Sequence, residues 1–194
     1  EVLKRYYDMT SRLYGGGDTG AYETDALDEW RREDLTLRDT KARPYKIDAY
    51  VRVNSSRQSE VQRAIAFAGV HGIKICFNLP IAWASMGIPQ TWDIPDNQPL
   101  VGDWTPGSWG GHSMSAFDYN KIGVRLAHTW YDGKGEVRYG LQVVTWRALL
   151  TYADEAYIVI DSINEWKKRR QLSKRQAEII ADAVNQVSDV KVSV

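Results

Sequence analysis

Residues 110–131, GGHSMSAFDYNKIGVRLAHTWY, read as two strands about a turn. The spacing predicts strands over 112–119 and 122–130, with Asn120-Lys121 at the turn between them. A third strand is predicted at 140–145, after a turn at Asp132-Gly133. Upstream, GIKICFNL (residues 72–79) is the most strand-like run in the chain, and Pro80 ends it. Tyr45 to Val53 alternates apolar Ile47, Ala49, Val51 and Val53 with Lys46, Asp48 and Arg52, the pattern of a half-buried strand. A short helix is expected after Thr145, then a last strand over 155–161.

The other half of the pattern is helical. Val2, Tyr6, Met9 and Leu13 recur at spacings of three and four, predicting a helix over 2–14 that the run Gly15-Gly16-Gly17 ends. Thr24-Asp25 opens a second helix, acidic at its start and closed by Arg31-Arg32 as the macrodipole prefers. Asn54-Ser55-Ser56 precedes a third, with Ser55 and Gln58 as an expected capping box and Val61, Ala64, Ile65 and Ala68 as its buried stripe up to Gly69. Lys167-Lys168-Arg169-Arg170 leads into an amphipathic helix over 173–187, with Ser173 and Gln176 placed to cap it. Helices first and strands later give the class α+β.

At 194 residues the chain predicts a single domain, long enough to bury a core without disulfide or metal. The 25 basic residues equal the 25 acidic ones, so no net field recruits nucleic acid or an anionic membrane. No apolar run approaches the ~20 residues of a membrane span. One Cys leaves no internal disulfide framework and no Cys-based zinc site, and three scattered His argue against zinc, so no metal or cofactor is expected. Eight Trp and eleven Tyr stand beside three Phe; these side chains carry a polar handle and suit half-buried walls. Residues 86–111 form a long loop rich in Pro, Gly and Trp, too long for an idle connection, so it is expected to line or cover something.

Several constellations have plain readings. Asp18-Thr19-Gly20-Ala21 spells an aspartic-peptidase signature, but three glycines precede it and no second copy exists; a turn before a helix is the better reading. Cys76 sits mid-strand among apolar neighbours, so an inert core thiol is expected. His71 falls at a turn, as a solvated loop residue. Gly110-Gly111-His112 differs, because paired glycines feed an imidazole onto a strand end after the Trp-rich loop. His128 stands on the next predicted strand beside Thr129-Trp130, and neighbouring antiparallel strands bring such residues within reach of each other.

On these residues the sequence resembles the papain-like cysteine peptidases. Gly110-Gly111-His112 matches the family's Gly-Gly-His strand, Phe117-Asp118-Tyr119-Asn120 stands at its Gly-Tyr-Asp turn, and Leu126 to Tyr131 occupies its Asn-Ser-Trp-Gly strand. The chain is most similar to the divergent papain-like proteins of tailed bacteriophages and prophages. Asp18 to Ala21, Asp25 to Trp30, Pro106 to His112, Val144 to Trp146 and Tyr152 to Val159 carry that likeness, over roughly residues 18–161. Two departures stand out: the family's Gly-x-Cys nucleophile helix is not in this sequence, and His128 replaces its Asn. Without a thiolate there is no covalent catalysis.

The resemblance implies a papain-like α+β fold, with N-terminal helices and a C-terminal antiparallel half-barrel, lacking the Cys-bearing helix. It would span residues 1–166, followed by a basic linker and helix over 167–194. His112 and His128 are the candidate catalytic pair, conditional on a Cys. Trp104, Trp109, Gly110, Gly111, Thr129 and Trp130 are the candidate cleft. The expected function is a phage head or tail accessory protein, located in the virion and in the bacterial cytoplasm during assembly. Its partners would be other virion proteins or further copies of itself. One alternative is a cysteine peptidase or amidase with its nucleophile on an upstream segment, with His112 as base. Residue 1 falls inside the first predicted helix rather than at a start Met, which is the expectation for a trimmed chain. The other alternative is a glycan-binding module for a host surface glycan, with Trp83, Trp92, Trp104 and Trp109 as stacking platforms.

Overall fold

The computed structural model describes residues 2–16, 20–32, 46–69, 72–86, 91–131 and 137–161. Within them the order is α1 (Val2–Tyr14), α2 (Glu23–Arg32), β1 (Ala49–Val53), α3 (Gln58–Ala68), β2 (Ile73–Leu79), β3 (Gly110–Tyr119), β4 (Gly123–Tyr131), β5 (Val137–Thr145), α4 (Trp146–Tyr152) and β6 (Ala153–Ile160). The α+β class holds. All six strands form one sheet in the order β1-β6-β2-β3-β4-β5. The last strand made therefore lies between the first two.

Two compact units divide the chain, residues 1–51 with 159–194 and residues 52–158. In the first, Met9 of α1 and Leu27 of α2 are buried, both at most 3% exposed. Tyr14 donates to Asp25, and Arg12 pairs with Glu29 at 2.5 Å. Tyr50 is buried and its hydroxyl donates to Asp28 Oδ1 at 3.0 Å. Burial first, then that hydrogen bond to a carboxylate, push its pKa up to about 12.

The second unit carries most of the sheet. Strand β2 is hydrogen-bonded on both sides, antiparallel to β3 (Ile73↔Ala116 through Leu79↔Gly110) and to β6 (Ile73↔Ile158 through Phe77↔Ala153). Side chains alternate with a period of two. Ile73, Ile75, Phe77 and Leu79 are all at most 3% exposed, while Lys74, Cys76 and Asn78 are half-buried. Following the registers outward, Met114, Ala116, Leu126, Val124, Gln142 and Val144 share the covered face, each at most 1% exposed. Helix α3 turns Val61, Ala64, Ile65 and Ala68 inward, the stripe its spacing predicts. It ends at Gly69, whose φ of 59° and N–H bond to Ile65 O close the last turn.

Two local expectations change. The capping box does not form: α3 begins at Gln58 with Arg57 as a cap without a side-chain bond. Ser55 instead donates to the carbonyls of Ala153 and Asp154 at 3.3 and 3.2 Å, and Asn54 Oδ1 receives Ser56 N and Oγ. Cys76 is half-buried rather than a fully buried core thiol, because it projects from the other face of β2 from Ile75 and Phe77. The turn at Asn120 does form: its side-chain oxygen accepts from Ile122 N and Gly123 N. Asp18-Thr19, His71, Asp132-Gly133, the boundary at 166 and the 173–187 helix lie outside the described residues.

The sheet is tight where β4 begins. A Cβ on Gly123 would lie inside the backbone of Val144 and Thr145, so only glycine lets β4 and β5 close there. Replacing Gly123 by Ala is expected to cost about 3 kcal/mol, seen as a lower urea midpoint with an unchanged m-value. Tyr50 sets an alkaline limit. Its folded pKa lies above the unfolded value, so its contribution is complete below about pH 10 and falls as the pH rises toward 12. Stability measured by denaturant titration should decline over that window, and less steeply in Tyr50→Phe.

Candidate functional site

The site the sequence points to lies between the end of β2 and the start of β3. Residues 91–109 are held on four kinds of contact. Trp92 makes an isolated parallel bridge to Val144: its N–H donates to Val143 O at 2.8 Å and its carbonyl accepts from Thr145 N at 3.0 Å. Asp93 Oδ1 accepts from Thr145 Oγ1 at 2.6 Å and from Arg147 Nη2 at 3.3 Å. Arg147 also reaches Asp96 Oδ1 at 2.6 Å and the Ile94 carbonyl. Farther along, Gly107 N and Trp109 N donate to Asn78 O and Leu79 O at 3.0 and 2.9 Å, so the loop's end runs back along the end of β2.

Aromatic rings run through this frame from the core to the surface. Trp83 and Trp92 stack with centroids 4.9 Å apart and 17° between planes. Tyr152 of α4 meets Trp83 edge-on at 4.9 Å, and Trp109 meets Trp92 edge-on at 6.4 Å. The polar handles are used inward: Trp83 Nε1 donates to Asp93 O at 3.0 Å, and Tyr152 OH to Trp104 O at 2.8 Å. Burial holds the Tyr152 hydroxyl pKa above its ordinary value. Trp83 and Trp92 are 1% exposed and offer no face to a sugar, which corrects the four-platform reading. Trp104 is half-buried and Trp109 is 37% exposed.

His112 lies on β3 opposite Phe77, on the covered face, with its Nε2 screened from solvent. Gly110 has φ 114°, a conformation that needs glycine, and a Cβ at either Gly110 or Gly111 would meet open space. The paired glycines thus leave room beside the strand end. His128, Thr129 and Trp130 lie on β4, opposite Gly140, Tyr139 and Arg138 of β5. The β3–β4 ladder runs from Ser115↔Ala127 to Tyr119↔Val124 with one irregularity. The pairing stops at Ser115↔Ala127, so His112 and His128 both lie beyond it. They stand on consecutive strands, His112 near the start of β3 and His128 on β4.

Cys76 is elsewhere. Its direct neighbours across the ladders are Ser113 on β3 and Glu155 on β6, whereas His112 faces Phe77. Successive residues of a strand point to opposite faces, so the Cys76 thiol and the His112 imidazole leave the sheet on opposite sides. On the thiol's side Tyr157 OH donates to Glu155 Oε2 at 2.9 Å, and burial with that carboxylate raises the tyrosine's pKa. Among the described residues no three His, Cys, Asp or Glu gather to hold a metal ion, and no helix is long and apolar enough to cross a membrane.

Sequence reasoning missed the Asp93–Thr145–Arg147 clasp. Thr145 was signalled as a helix start, and its Oγ1 does accept from Ala148 N at 3.2 Å. Nothing local ties it to an aspartate 52 positions earlier. No family model matches the sequence, and no curated protein or solved structure matches the chain.

The clasp should add to the loop's anchoring. Asp93→Ala is expected to cost about 1–2 kcal/mol, a Tm fall of about 2–8 °C. Tryptophan emission should shift to the red as the Trp83–Trp92 stack takes on water. Asp96→Ala, whose carboxylate is exposed, should change little.

Proposed function

We propose that this chain is a papain-like interaction module, catalytically incomplete in this form, that serves as a head or tail accessory protein of a phage particle. The phage part of the reading rests on the Pro106–His112 and Tyr152–Val159 motifs. The catalytic part rests on one observation: the single Cys and His112 leave the sheet from opposite faces. A thiolate attacks a carbonyl only when its base lies within hydrogen-bond reach, and β2 stands between these two groups. The screened His112 Nε2 supports the same reading, because a general base has to meet its substrate.

A cysteine peptidase or amidase with its nucleophile on an upstream segment is the second reading. It is favoured by His112 standing near the start of β3, beside open space at Gly110 and Gly111. In it His112 is the base and His128 or Thr129 its orienter. The cleft would then include Trp109 and Trp130.

The purified 194-residue chain is expected to give no thiol-dependent cleavage of casein or of a fluorogenic peptide library. Alkylation of Cys76 by iodoacetamide should proceed at the same rate, within about twofold, in His112→Ala. Peptide mass spectrometry of particles purified from the encoding strain should find the chain as a stoichiometric component. Thiol-dependent turnover abolished by Cys76→Ala would overturn the catalytic part, and absence from purified particles would overturn the virion part.

A further inference from the structure

Strand β5 is the last in the sheet order, and it pairs with β4 along its whole length, from Gly123↔Thr145 to Tyr131↔Val137. Among the described residues its other side meets only the single bridge of Trp92. The two bonds of that bridge orient the strand. Val143 O and Thr145 N both point outward to Trp92. N–H and C=O groups alternate sides along a strand, so those of Val137, Tyr139 and Leu141 point outward as well, and those of Gly140, Gln142 and Val144 face β4.

Natural sheets blunt such an edge with proline, lysine, a bulge or a very short strand. This edge has none of them. Val137–Thr145 is nine residues long, holds no proline, and carries one charge, Arg138. Its pairing with β4 runs without an irregularity, and Leu141 is 59% exposed.

We infer that the outer edge of β5 is the docking surface for a second copy of this chain, paired antiparallel about a two-fold axis near Gly140. The edge is complementary to itself. Such an axis sets Tyr139 of one copy opposite Leu141 of the other, and both present their backbone groups outward, so the pair exchanges both N–H···O bonds. It sets Arg138 opposite Gln142, so the one cation does not meet its own copy. Gly140 meets Gly140 at the close, non-bonded position, where the absence of a Cβ removes any clash. Trp92 already occupies Val143 O, which ends the free edge and fixes its length. The result is two sheets joined into one through isologous contacts. This assignment stands on β5 alone and holds whether or not the fold is papain-like.

The test uses sedimentation velocity on the whole chain, from micromolar to hundreds of micromolar. Wild type should pass from monomer to dimer. Leu141→Pro removes an outward N–H and leaves the β4 ladder whole, so it should keep its far-ultraviolet circular dichroism and bind its copy about tenfold more weakly or worse. Leu141→Lys keeps the backbone donor but adds a cation to each edge, and it should also stay monomeric where wild type is mostly dimer. Amide exchange at Tyr139 and Leu141 should slow as concentration rises, with Gly140 and Gln142 indifferent. A wild-type chain that stays monomeric throughout overturns the inference. So does a dimer that both variants leave intact, or protection of those two amides in the monomer, which would mean another segment already occupies the edge.

Discussion

Strand β2 has hydrogen-bonded neighbours on both sides, and its strict alternation of apolar and mixed residues sorts the rest of the second unit. Once Ile75 is opposite Met114 on one side and Ala156 on the other, the residues of β3 and β6 paired with Ile73 to Cys76 have an assigned face. A slip of one residue would drive Lys74, Cys76 and Asn78 onto the fully buried face and move four large apolar side chains to the half-buried one. At up to about 1.5–3 kcal/mol for each such side chain, that alternative is out of reach for a marginally stable domain. The same register separates Cys76 from His112. The chemistry available to this chain is thus a by-product of how its core is packed.

The Trp-rich loop shows how an irregular segment is made rigid without regular structure. Its backbone is tied at Trp92 to the end of β5 and at Gly107 and Trp109 to the end of β2. Its indole rings form an edge-and-face column that buries large apolar area at favourable ring geometry. Charge acts last, through Asp93 and Arg147 at the rim. Arg147 is held protonated, by its hydrogen bond to Asp96 first and by Asp93 as well. Trp83 and Trp92 thus serve to build the loop, and Trp109 is the ring of the column left partly open.

Much of this fold was legible in residue order. Periodicity located α1, α2, the α3 stripe and β2, and local turn chemistry at Asn120 and Thr145 located the strands and helix around them. What escaped was non-local. Ser55 reads as a helix cap because Gln58 follows it at the right spacing, but its hydroxyl finds carbonyls on β6 about a hundred positions later. Cys76 reads as core from its neighbours, yet which face of a strand is covered depends on what packs there. Trp83 and Trp92 read as platforms for the same reason. The candidate site was legible in its parts, Gly110-Gly111-His112 above all, while the clasp behind it and the screening of His112 depend on contacts no local window contains.

The sheet order also bears on synthesis. β2 leaves the ribosome early, and β3, β4 and β5 follow as a meander that can pair strand by strand. Its other neighbour, β6, is the last strand translated among the described residues, and β1 sits beyond it. Between Leu79 and Ala153, at about 5–20 residues per second, the nascent chain spends several seconds with one side of its most apolar strand unpaired. For that interval β1 has no place to add. The closing strand arrives after everything it must fit between, so a ribosome stalled shortly before Ala153 would hold a half-sheet with its centre open, a natural substrate for a chaperone.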